Sequence, residues 1–290
     1  GLPNGRQVYF LHTRLSIIDL NDRANQPYRS SSKVLAYNGE LYNYLELRPE
    51  LQTRGVTFST DSDTEVLMRV LEQIGWRGLD RCEGMWAFAL YDERAGSLLL
   101  SRDRFGEKPL FLYRNETGLY FASEIKFIHE LVGRRLPINT NHLYRYLING
   151  YKSLYKSREF FFEGIEELQP ASVLILNASG EETLQRYWTP VVKQEESMPY
   201  DRAVAGAREA LLRSVKMRLR ADVPGIYKVT VTATAASGAS SSVREITAGT
   251  YTGQAACAGC HMKEDVVGPN AAVFEDFLAT GHATKFLNTF

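Results

Sequence analysis

A chain of 290 residues with 34 basic and 34 acidic side chains carries no formal net charge, which removes the electrostatic case for nucleic acid or an anionic membrane surface as a partner. Its hydrophobic content of 44% supports one large core or two smaller ones, and no run is long enough to cross a bilayer as a helix. Three cysteines are too few for a disulfide framework, and the opening GLPNGRQVYF has neither an initiator Met nor the basic start and apolar core of a secretory signal, so no export is expected.

Up to about residue 190 the pattern mixes short strands with short helices. VYFLHTRLSIIDL (8–20) alternates as a strand, and VLAYNGELYNY (34–44) reads as two strand pieces around Asn38-Gly39. NYLELRPELQTRG (43–55) and TDSDTEVLMRVLEQIGW (60–76) read as helices, the second with an Asp/Ser cap region and Leu67, Val70, Leu71 and Ile74 on one face. MWAFALYD and SLLLSRD flank ERAG (93–96), a hairpin signal, and LYFASE, ASVLILN and TLQRYW add further strands. Runs of strands with helices between them predict an α+β layered sandwich rather than strict βαβ alternation. PYDRAVAGAREALLRSVKMRLR (199–220) is the strongest helix, with Val204, Ala207, Leu211 and Val215 at helical spacing.

The composition then changes abruptly. From residue 225 to 250 every position except Ile226, Tyr227, Lys228, Arg244, Glu245 and Ile246 is Ala, Ser, Thr, Gly or Val. KVTVTATA alternates as a strand and gives way to SGASSS, a linker-like run. The boundary is placed at 222–225. The segment resembles the last strand and exit linker of an immunoglobulin-like domain.

Asn38-Gly39 by itself is a type I′ hairpin signal. Its context offers a second reading, because HTRLSIIDL (12–20), YNGELYNY (37–44), TDSDTE (60–65), GMWAFALYD (84–92), SRDRFGEKPLF (101–111) and FASEIK (121–126) occur in this order. Together they resemble the glutaminase domain of glutamine-dependent asparagine synthetase, a class II amidotransferase of the N-terminal nucleophile hydrolase superfamily. The resemblance runs from about residue 7 to 223 and extends through QRYW and the helix ending RLRADVP. It implies an αββα sandwich over residues 1–190, lacking the family's N-terminal Cys strand, with 191–223 as linker and first helix of a synthetase domain.

Splitting the side-chain amide of glutamine requires a thiolate attack and donors for the resulting oxyanion. The resemblance assigns those donors to the Asn38 side chain and the Gly39 N–H. It gives glutamine's α-carboxylate to the planar guanidinium of Arg14, its α-ammonium to Glu40 and Asp63, and the walls to Leu15, Ile17 and Ile18. Taken singly, Arg14 and Glu40 also read as solvated strand residues, and Asp63 as a cap of the following helix. The family's nucleophile is an N-terminal Cys, which the opening Gly1 does not supply, and Cys82 sits in an apolar run as a core thiol. The expectation is a glutamine site without activity in this form. ATP and Mg belong to the family's synthetase domain; SGASSS has neither the Gly-Gly nor the Asp of its pyrophosphate loop. Glutamine is the expected partner, a homodimer is possible for the parent synthetase, and no nucleic acid or membrane is expected.

CAGCH (257–261) has the spacing in which two thiols add across haem vinyl groups while the adjacent His ligates iron. This reading makes Cys257 and Cys260 the attachment sites and His261 the iron ligand of a haem c, as against a fortuitous match. A Cys₂His₂ zinc site with His282 is the alternative, with the wrong second-pair spacing. YTGQAACAGCH and VFEDFLATGHATKF (273–286) resemble a multihaem c-type cytochrome over 251–290, with His282 as a second iron ligand, a ligand to a neighbouring haem, or a surface loop residue. An electron-transfer protein with an unidentified redox partner is thus the rival functional reading, and a non-catalytic chimeric fragment the third. Haem attachment follows export to the periplasm, whereas asparagine synthesis uses cytoplasmic ATP, so residues 1–223 and 225–290 are expected to derive from different genes.

Overall fold

The computed structural model describes residues 7–14, 18–151, 157–193, 197–218, 225–235 and 238–248. They fall into two units, divided between Leu219 and Arg220. In the first, a six-stranded antiparallel sheet has the order β1 (Tyr28–Ser30), β2 (Lys33–Leu41), β3 (Gly84–Asp92), β4 (Ser97–Arg102), β8 (Ser172–Leu176), β9 (Glu182–Arg186). A three-stranded antiparallel sheet has the order β6 (Gly118–Ala122), β5 (Phe111–Asn115), β7 (Ile165–Glu167). The helices are α1 (Tyr44–Thr53), α2 (Asp63–Gln73), α3 (Ile125–Val132), α4 (Thr140–Asn149) and α5 (Tyr200–Arg218).

Strand periodicity sorts the side chains into layers. In β3, Trp86, Phe88 and Leu90 point to one face, where they pack with Leu35, Tyr37 and Leu41 of β2 against Leu47 and Leu51 of α1 and Val66, Leu67, Val70 and Leu71 of α2. The intervening Ala87, Ala89 and Tyr91 face the other way, and with Leu98 and Leu100 they meet Leu110, Leu112 and Leu168 of the smaller sheet's side. The outer face of that sheet, through Phe111, Tyr113 and Ile165, packs on Ile128 of α3. The order is helices, sheet, sheet, helix: an αββα sandwich built as the sequence predicts.

Leu67, Val70 and Leu71 of α2 are buried and Ile74 partly so, as their spacing marks them, with Val66 and Met68 buried beside them, and the predicted ERAG hairpin joins β3 to β4 with Asp92 opposite Ser97. Three expectations are revised. Residues 7–14 alternate between exposed and half-buried as a strand would, yet form no ladder; they lie extended, with Val8 and Phe10 packed against the inter-sheet core. Asn38-Gly39 is not a turn: β2 runs through it unbroken, with Asn38 opposite Ala87 and Gly39 opposite Trp86. On α5, Val204 and Leu211 are exposed, so their helical spacing does not mark a core face among the described residues.

In the second unit, β10 (Gly225–Ala235) and β11 (Gly238–Ala248) pair antiparallel, Gly225 opposite Ala248 and Ala235 opposite Gly238. The second strand takes residues that composition alone assigns to a linker. Cys257, Cys260, His261 and His282 lie outside the described residues.

Candidate active site

The site forms on the edge of β2 beyond the reach of β1, whose pairing ends at Tyr28 opposite Leu35. Backbone groups of alternate residues in a strand point to opposite sides. The N–H of Tyr42 donates to Glu83 O at 2.7 Å, which aims the even-numbered residues at β3 and the odd-numbered ones, 37, 39 and 41, at the open edge. Side chains take the flanking donors: Tyr37 N–H donates to Gln26 Oε1 at 2.6 Å and Leu41 N–H to Asp63 Oδ2 at 3.0 Å. Between them the Gly39 N–H faces the edge, and no acceptor among the described residues takes it.

Two features keep that donor available. Opposite Gly39, Trp86 turns its backbone toward β4: its N–H donates to Asp103 Oδ2 at 3.2 Å and its carbonyl accepts from Asp103 N–H at 2.9 Å. Gly39 itself is sterically required, since a Cβ there would lie 2.2 Å from Met85 O and 2.8 Å from Trp86 Cα. Asp103 in turn is the buried centre of the DRFGEKPL turn, its Oδ1 accepting from Phe105 and Glu107 N–H and its Oδ2 from Lys108 N–H at 2.9–3.0 Å. The neighbouring Arg102 donates to Lys108 O, Leu168 O and Gly106 O and fixes the rest of the loop. Tyr187 of QRYW closes the packing, stacked on Trp86 and donating to Arg102 O at 2.9 Å.

Asn38 turns its side chain to the inter-sheet face, where Nδ2 donates to Ser123 Oγ at 3.0 Å. Asp63 opens α2 but is not its cap. Ser62 is, its side chain accepting from Thr64 N–H. The buried Asp63 carboxylate instead ties the helix to β2, accepting from Leu41 N–H and from the Tyr37 hydroxyl at 3.3 Å. Burial, reinforced by the negative charge of Asp63, pushes the Tyr37 hydroxyl far above its ordinary pKa, so it stays a donor.

Arg14 reaches the 18–25 loop, where it donates to Ile18 O at 2.7 Å, Asp19 O at 2.5 Å and Asn25 Oδ1 at 3.2 Å. Three of the five guanidinium N–H groups are thereby engaged. Ile18 packs on the core beneath β2. His12 donates from Nε2 to Tyr37 O at 3.1 Å, on the same open edge. Burial lowers its pKa, the Tyr37 contact opposes this, and the Arg14 charge adds to the lowering. Thus Arg14, Ile18, Asn38, Gly39 and Asp63 gather around one stretch of β2. Glu40 sits next in that strand. Leu15 and Ile17 lie outside the described residues.

Sequence reading assigns no role to Gln26, Asp103 or Ser123. The latter two lie inside motifs already visible, DRFGEKPL and FASEIK, but their partners are distant in the chain. Cys82 is fully buried beside Gly78 O, and desolvation pushes its thiol up to about 12, against weaker lowering by Arg104 and Arg81. It is no nucleophile. Among the described residues no group of His, Cys, Asp and Glu has the arrangement of a metal site, and no helix is long and apolar enough to cross a membrane.

Asparagine synthetase [glutamine-hydrolyzing] 3 of Bacillus subtilis (strain 168) is 34% identical over 223 residues, covering 75% of this chain and 35% of that protein. Amidase chry2 of Gibberella zeae is 31% identical over 218 residues, covering 73% of this chain and 31% of its own length. The chain therefore spans about a third of the length of these relatives. A solved glutamine PRPP amidotransferase from B. subtilis aligns with a TM-score of 0.44 and 23% identity over 62% of this chain and 35% of that one. The family model for the glutamine amidotransferase domain matches residues 2–188, and the chain belongs to that family.

Proposed function

We propose that residues 7–218 bind L-glutamine and polarise its side-chain amide, as the glutaminase portion of an asparagine-synthetase-type amidotransferase. The observation that carries this reading is the Gly39 N–H, left facing an open edge between two neighbours whose own donors are taken by Gln26 and Asp63. Such a donor beside a side-chain amide suits an oxygen that gains negative charge when a thiolate adds to the amide carbon. In the parent enzyme the amide nitrogen then takes up the proton given up by the thiol and leaves as ammonia, a thioester remains, and water releases glutamate. Arg14 pairs with the α-carboxylate; Glu40 and Asp63 accept from the α-ammonium. In the parent enzyme the ammonia would serve an ATP- and Mg-dependent synthetase domain in the cytoplasm.

Among the described residues no activated thiol is present, because Cys82 is buried and protonated. The described residues should bind glutamine and not hydrolyse it. Calorimetric titration with L-glutamine, alongside an ammonia-release assay, tests both parts: absence of binding removes the site, and turnover by the purified chain removes the inactivity. For residues 251–290, the CAGCH spacing favours covalent haem c at Cys257 and Cys260 with His261, and a separate genetic origin from residues 1–223. Expression in a periplasm with haem-maturation factors, read by in-gel haem peroxidase staining, decides it.

A further inference from the structure

The hydrogen bond from Asn38 to Ser123 crosses between the two sheets, because Ser123 immediately follows β6 while Asn38 lies in β2. We propose that Ser123 is a positioning residue that sets the orientation of the Asn38 amide toward the glutamine side chain. This deepens the glutamine-binding reading and rests on it.

The chemistry follows from the two hydrogens of a primary amide. One N–H of Asn38 Nδ2 is held on Ser123 Oγ at 3.0 Å, which leaves the second N–H, about 120° away in the amide plane, to donate to a ligand oxygen. The terminal torsion of Asn is soft and roughly two-fold. Rotated out of its present plane, the amide would swing that second N–H away from an oxygen gaining negative charge. Nothing in β2 opposes that rotation, since the main chain at residue 38 is committed to the ladder with Ala87. The restraint comes from the smaller sheet. Both residues are half-buried, which keeps the contact from being dissolved by solvent while leaving the amide reachable.

The test compares two ligands on the full chain. L-norvaline carries the same α-carboxylate and α-ammonium as glutamine but has a methyl group in place of the amide, so Asn38 and Ser123 act on glutamine alone. Wild type should bind glutamine more tightly than norvaline. Ser123→Ala should weaken glutamine about five-fold, the loss of one oriented hydrogen bond, with norvaline unchanged. Ser123→Thr, which keeps a hydroxyl, should restore most of the loss. Asn38→Ala combined with Ser123→Ala should be no worse than Asn38→Ala alone, because the two act through one group. Norvaline affinity also serves as the check on folding. If Ser123→Ala weakens both ligands alike, or neither, the positioning role is overturned while the glutamine site stands. If wild type does not prefer glutamine, the amide-polarising reading falls and the role of Ser123 falls with it.

Discussion

Replacing Glu65 by Gln probes the device that holds Asp63 against β2. Glu65 lies two residues beyond Asp63 in α2 and is fully buried. Its Oε2 accepts from Thr60 N–H at 2.6 Å and from Thr60 Oγ1 at 2.8 Å, both oxygens accept from Ser59 N–H at 3.0 Å, and Oε1 accepts from Arg69 Nη2 at 2.9 Å. An amide can keep the Thr60 bonds on its oxygen, but its nitrogen must then face the Arg69 guanidinium and Ser59 N–H, donor against donor. One charge-assisted hydrogen bond is lost and the others lose their charge, at roughly 1.5–3 kcal/mol for the first and less for the rest. Arg69 keeps Glu72 at 2.8 Å and Ser30 Oγ at 2.7 Å, so no unpaired buried cation is added. The expected loss is about 3 kcal/mol.

Urea unfolding followed by tryptophan fluorescence measures it, since all three tryptophans lie in the first unit. The pH dependence supplies a second readout. Burial pushes the Glu65 carboxyl up, but the Ser59, Thr60 and Arg69 hydrogen bonds outweigh it and hold the group below its ordinary value. A carboxyl so lowered contributes stability that is fully present above the ordinary glutamate pKa and is lost as pH falls through the folded one. The gap between wild type and Glu65→Gln should therefore be widest at pH 7 and narrow below about pH 4.5. A gap under about 0.5 kcal/mol at pH 7, the scatter of neutral surface changes, would refute the network as the support of Asp63. So would a gap that does not change with pH.

Three other outcomes follow from the same geometry. Gly39→Ala must push β2 away from Met85 O, so it should cost about 3 kcal/mol or more and abolish glutamine binding, read by urea unfolding and calorimetry. Asp103→Ala strips acceptors from the N–H groups of Trp86, Phe105, Glu107 and Lys108; hydrogen exchange should quicken at those four amides, with a stability loss of at least ~3 kcal/mol. Cys82 should resist iodoacetamide at pH 8 in the native chain and react in urea, because only the thiolate is a nucleophile and this thiol is pushed up to about 12; peptide mapping separates it from Cys257 and Cys260.

Local patterns were enough for some of this fold and misleading for the rest. The helical spacing of Leu67, Val70 and Leu71 is a local signal and all three are buried, although Val66 and Met68 are buried with them because α2 is covered nearly all round. The hairpin across residues 93–96 is equally local. Asn38-Gly39 fails as a turn because a long-range partner, β3, takes the strand through, and the glycine is needed for close approach rather than for a positive φ. Residues 8–14 keep strand alternation without a ladder, since alternation reports only which side is covered and a ladder needs a neighbour's backbone. Val204 and Leu211 carry a helical stripe that has nothing packed on it among the described residues. The candidate site was legible as residue types, Arg14, Asn38, Gly39, Glu40 and Asp63, but its supports were not. Ser123 stands 85 positions from Asn38, a separation over which periodicity carries no information.

An open strand edge is ordinarily a hazard, since its free N–H and C=O groups invite pairing with another chain. Here the edge of β2 past β1 is covered piecemeal: Gln26 takes Tyr37 N–H, His12 takes Tyr37 O, and Asp63 takes Leu41 N–H. These covers are side chains rather than a neighbouring strand, so each can stop at a single group. A strand laid along the same edge would have satisfied Gly39 as well and left no donor for a ligand. The cover of the edge and the opening at Gly39 are therefore one design, in which two loops and the first residue of α2 supply partners to its neighbours and Asp103 occupies the backbone of Trp86 behind it. What distinguishes the site is not an added group but a backbone donor that no acceptor among the described residues takes.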